Sequence, residues 1–174
     1  MTTYKDLCNA WENDINTKNR IRDQLIQGAV KFRNELTKDL GLENKTCNSY
    51  GAKRVYVYLA PSSYKSEEKF KGNNLNIPMH IEQDILYIEY VLCLILEIVN
   101  KSYYETDVYI PFKNYIENEN LIIQVNDGRP QSDKTRFEIP VTTEYRDTEA
   151  AFQAPVEKYK QMILEKYKAK YKAL

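Results

Sequence analysis

The chain has 174 residues, 43% of them hydrophobic and 29% charged, with 25 basic residues balancing 25 acidic ones and three scattered cysteines. That length suits one core of ordinary size, and that composition excludes a disordered polar chain. An odd, widely spaced set of cysteines excludes a disulfide framework and fits free thiols in a reducing compartment.

Residues 1–18 mix Asp6, Glu12 and Asp14 among apolar positions, unlike the unbroken apolar core of a secretory signal. The longest apolar run, residues 85–99, contains Glu89 and Glu97 and falls short of the ~20 residues that span a bilayer. A cytoplasmic protein with no membrane partner is expected. Enrichment in Ile, Asn, Lys and Tyr suggests the AT-rich coding sequence of a bacterium or phage.

Tyr4, Leu7, Trp11 and Ile15 are spaced as on a helix, and Ile21, Leu25, Ala29, Phe32, Leu36 and Leu40 resume the pattern. Residues 16–20 are polar where the stripe should continue, leaving one long helix with a wet middle or two helices broken there. Gly41 supplies the stop. Residues 53–60 alternate Val55, Val57 and Leu59 against Arg54, Tyr56 and Tyr58, and Pro61 follows; this is the period of a half-buried strand. Residues 62–76 read as a polar surface loop with room for one helical turn.

Residues 81–100 are apolar on almost every position, a pattern that strand and helix share. Length favours a mostly buried helix, on which Glu82, Glu89, Cys93, Glu97 and Asn100 form one polar stripe; the many β-branched residues argue for a strand. From Asp107 onward the pattern is β. Val108, Ile110, Phe112 and Ile116, then Leu121, Ile123 and Val125, then Phe137, Ile139, Val141 and Thr143 predict a meander with turns at 117–120 and 126–130. A final helix carries Val156, Tyr159, Ile163, Tyr167, Tyr171 and Leu174 at three- and four-residue spacing, with Pro155 suited to its first turn.

The fold class expected is α+β: an antiparallel sheet of about four strands flanked by N-terminal, central and C-terminal helices. It forms a single domain over residues 1–174, with a helical segment at 1–41, sheet and central helix at 53–145, and a basic amphipathic helix at 155–174. Charge is segregated along it. Residues 53–72 hold 5 basic and 2 acidic residues, 73–150 hold 6 and 14, and 151–174 hold 6 and 2. Basic flanks either lie against the acidic middle within one molecule or make a bipolar surface that steers a partner.

Motifs for chemistry are sparse. One histidine, His80, and three scattered cysteines give no zinc ligand set, and the five isolated glycines form no phosphate cradle. Ser62 and Lys65 match S-x-x-K without the companion motifs. Cys93 has Glu89 and Glu97 four residues away on either side, which on a helix would disfavour a thiolate. No cofactor and no metal are expected.

Tyrosines interleaved with lysines in the last helix suit a protein interface or the stacking of single-stranded nucleic acid. The candidate partner-binding residues are Tyr167, Lys168, Lys170, Tyr171, Lys172 and Leu174, while Tyr159 and Ile163 are expected in the core. Binding is favoured over catalysis. The expected protein is a small intracellular interaction or regulatory protein that binds a macromolecular partner or self-associates. Nucleic-acid association through the basic segments is the second reading, and a small enzyme with an unrecognised site the third.

Overall fold

A computed structural model describes residues 2–49, 52–63, 77–97, 105–128, 130 and 135–171. The architecture is α+β: a six-stranded antiparallel sheet, a separate two-stranded hairpin and two long helices. Helix α1 spans Tyr4–Asp39 without interruption, so the polar residues 16–20 do not break it.

Strands β1 (Thr46–Ser49) and β2 (Ala52–Val55) form the hairpin, and after the bend at Tyr56 strand β3 (Val57–Pro61) joins the main sheet. Strands β4 (Met79–Glu82), β5 (Ile85–Glu97), β6 (Glu105–Glu117), β7 (Asn120–Val125) and β8 (Arg136–Pro140) follow, then a 3-10 turn (Thr143–Tyr145) and helix α2 (Glu149–Tyr171). The order is β3-β5-β6-β7-β8, and β4 lies beside β3 on the same edge of β5. Six strands replace the four expected from the sequence.

The central helix expected over 81–100 is not formed: residues 85–97 are a 13-residue strand. Its neighbours on both edges and cover on both faces erase the alternation that marks a half-buried strand. Ile88, Tyr90, Leu92 and Leu94 join the main core with α1 and α2, while Val91, Cys93 and Ile95 are buried on the opposite face with Cys47, Tyr58 and Ala60. The β4–β5 turn at Gln83 and Asp84 and the β6–β7 turn at Asn118 and Glu119 both have two positive φ values, as the twist of a two-residue hairpin demands.

Helix α2 begins at Glu149, placing Pro155 inside the helix instead of in its first turn. Phe152, Val156, Tyr159 and Ile163 are buried against the sheet, and the Tyr159 hydroxyl donates to the Leu92 carbonyl of β5 at 3.1 Å. The second half of α1 packs beside it through Leu25, Ala29, Phe32 and Leu36. A Cβ on Gly28 would lie 2.4 Å from Leu121 Cδ2, so only glycine allows this approach of helix to sheet without movement. Lys31 to Glu149 at 2.7 Å and Lys160 to Asp39 at 2.7 Å tie the helices together at the surface.

Candidate functional site

The two halves of α1 have opposite environments. From Leu25 onward one face is buried, but between residues 2 and 20 no residue is buried, and only Cys8 and Lys18 are even half-covered. This half stands in solvent as an arm. Tyr4 is 82% exposed, Leu7 60%, Trp11 69% and Ile15 36%. Isolated exposed apolar residues are ordinary, whereas these four form one contiguous apolar stripe with two aromatics.

Local chemistry holds the arm helical without tertiary support. The Asp6 backbone amide donates to Thr3 Oγ1 at 3.3 Å and the Thr3 amide donates to Asp6 Oδ2 at 2.8 Å, a reciprocal capping box. Those bonds to the Thr3 backbone and side chain hold the Asp6 carboxyl below its ordinary pKa. Lys18 pairs with Asp14 one turn away at 2.6 Å. A helix this short is marginal alone, but the docked second half supplies the nucleus from which it extends.

Tyr4, Cys8, Trp11 and Ile15 occupy one line along the arm, separated by four, three and four residues, the spacing of a coiled-coil seam. Lys5 and Glu12 border it on one flank, and Leu7 and Asp14 on the other. Between residues 4 and 15 there are three carboxylates and one lysine. The sequence shows Tyr4, Leu7, Trp11 and Ile15 as a helical stripe, but spacing alone does not distinguish a stripe that faces the body from one that faces water. The polar residues 16–20 were the signal, since they separate the arm from the docked half.

The partner-binding candidates on α2 are only partly placed. Tyr167 is half-buried against the core and Lys168 is exposed. Lys170 and Tyr171 belong to the last turn of α2, and Lys172 and Leu174 lie outside the described residues. Tyr159 and Ile163 are buried. Beside them an open cavity of about 450 Å³ separates α2 from β6, lined by Val108, Ile110, Pro111, Lys158, Met162 and Lys166.

A second cluster lies on the sheet face opposite the long helices. The Tyr58 hydroxyl donates to Asp107 Oδ2 at 3.0 Å, Arg54 approaches the same oxygen at 3.6 Å, and Asp107 Oδ1 is buried with no hydrogen-bond partner among the described residues. Cys93 is opposite Tyr58 on β3 and Tyr109 on β6. The strand conformation removes the helical stripe of Glu89, Cys93 and Glu97; burial, more than any neighbouring charge, pushes the Cys93 thiol up to about 12, with Tyr58 opposing. On the same face His80 stacks on Tyr87 at 5.3 Å and Lys113 sits 3.7 Å above the Tyr87 ring.

Ser62 and Ser63 form the turn after β3, whereas Lys65 lies outside the described residues. Among the described residues, no group of three or more His, Cys, Asp or Glu side chains is placed to hold a metal ion, and no helix is long and apolar enough to cross a membrane. Comparison of the chain with protein-family models, curated proteins and solved structures finds no match.

Proposed function

We propose that this chain is an interaction protein and that the arm formed by the first half of α1 is where it holds another polypeptide. The observation that carries this reading is the exposure of Tyr4, Trp11 and Ile15 along one line, with Leu7 on its flank, of a helix that the body does not cover. Aromatic residues concentrate at protein interfaces because they add large contact area with few rotatable bonds. A groove or a second helix is the natural receptor for such a line.

Charge supports a protein partner over a phosphate-bearing one. Three carboxylates and one lysine lie between residues 4 and 15, and Lys18 and Arg20 bring residues 2–20 only to neutrality, so the arm lacks the excess of Lys and Arg on which binding to nucleic acid and anionic lipid surfaces depends. This reading puts an interaction surface on the first half of α1, at the opposite end of the sequence from the lysine-rich end of α2.

A photoreactive benzoyl-phenylalanine at position 11 tests the assignment. Irradiation of living cells should yield a discrete polypeptide adduct, and the same group at position 9, away from the stripe, should yield much less. Equal adducts at both positions, or none at position 11, would contradict it.

A further inference from the structure

We infer that the occupant of the arm is the arm of a second copy of this chain, packed antiparallel with a two-fold axis between residues 9 and 10. The inference rests on the arm being a protein-binding surface and adds the partner and its geometry.

The spacing of the seam is the first argument. Intervals of four, three and four residues read the same in either direction, so reversing one copy about that axis brings Tyr4 level with the second copy's Ile15 and Cys8 level with its Trp11. Every exposed seam residue then meets an apolar residue, as a two-fold, self-complementary interface requires.

The flanking charges select the antiparallel orientation. In an antiparallel pair like flanks face each other, which sets Lys5 against the second copy's Glu12 and Glu12 against its Lys5. The two levels differ by about 3 Å at a rise of 1.5 Å per residue, within reach of both side chains. A parallel pair would face opposite flanks and set Glu12 against the second copy's Asp14 twice. Charges bordering a seam decide partner orientation in this way.

Area and clearance agree. The exposed surface of Tyr4, Trp11 and Ile15 in the seam together with flanking Leu7 comes to roughly 500 Å² per copy, about 1,000 Å² for the pair if all of it is covered, the size of a weak, reversible interface. The overlap runs from residue 4 to residue 15, leaving the polar residues 16–20 as a spacer before the docked half begins. The arm roots at Ile21 are then about 35 Å apart along the helix axis. The resulting particle is elongated.

Sedimentation equilibrium from about 1 µM to about 300 µM, the range of a weak interface, tests the proposal. The expected result is a monomer–dimer equilibrium in which Trp11→Ala raises the dissociation constant at least tenfold without changing the melting temperature of the dilute protein. Lys5→Glu and Glu12→Lys should each weaken the dimer about three- to tenfold, and the double reversal should restore it. A wild-type chain that stays monomeric throughout would overturn the inference, while a position-11 adduct to a different protein would leave the arm standing as a binding surface. A dimer tightened by Glu12→Lys alone would overturn the antiparallel orientation, because that change removes the repulsion of the parallel pair.

Discussion

The Tyr90 hydroxyl of β5 donates to Asn114 Oδ1 of β6 at 3.1 Å, both side chains fully buried. Asn114 Nδ2 in turn approaches the carbonyl of Leu25 at 3.5 Å, and Leu25 is the first buried residue of α1. This polar link lies where the helix passes from free arm to docked element. The Tyr145 hydroxyl reinforces it, donating to the Gln24 carbonyl at 3.1 Å.

Replacing Asn114 by Ala should lower stability by about 1–3 kcal/mol, because Tyr90 keeps a buried hydroxyl with no acceptor. Asn114→Ala combined with Tyr90→Phe should recover part of the loss. Denaturant melts of the single and double variants check this: additive losses would mean that the two side chains are not coupled.

The arm and the docked half of α1 should respond oppositely to truncation. Trp11→Ala should change the stability of dilute protein by less than about 0.5 kcal/mol, as exposed substitutions do. Phe32→Ala should cost about 3–5 kcal/mol, since Phe32 is fully buried with its ring edge-on to Phe112 at 5.2 Å. Thermal melts at micromolar concentration measure both.

Much of this fold is legible in the sequence where burial is one-sided. On β6, helix-facing Val108, Ile110 and Phe112 alternate with Asp107, Tyr109 and Lys113, so the strand announces itself. Pro111 also belongs there: its carbonyl accepts from the Asn126 amide, on the edge where β7 leaves off and a proline N–H is not needed for the ladder. On β5 the signal fails, because Tyr90 and Leu92 on one face and Val91 and Cys93 on the other are all buried. Nothing in the periodicity then separates strand from helix. The stripe of the arm was visible as well, but its exposure depends on where the sheet ends, and that is a tertiary fact.

Stability should fall steeply in alkali. Burial raises the pKa values of Tyr90, Tyr145 and Tyr159 above the ordinary phenolic value. A group with a raised folded pKa contributes its full stabilisation below the unfolded value, here about 10, and loses it as pH rises towards the folded value. Phenolate absorbance followed against circular dichroism should show these tyrosines ionising only with unfolding. Complete titration of a chain that remains folded would contradict their burial.

Thiol labelling should separate the three cysteines. Cys8 is half-exposed on the arm, while Cys47 and Cys93 are buried and the Cys93 thiol is pushed up to about 12. At pH 8 and low protein concentration, iodoacetamide should modify Cys8 alone until denaturant is added. Rapid labelling of Cys93 in the native chain would contradict the packing of β5 between β3 and β6.

The association of two arms is tested most directly by Trp11, the only tryptophan in the chain and largely exposed in a single copy. Its emission should match that of a solvated indole in dilute solution and shift to shorter wavelength as concentration rises through the dimerisation range. Lys5→Glu should move that transition to higher concentration. Emission that stays at the solvated wavelength from about 1 µM to about 300 µM would contradict the pairing of the arms.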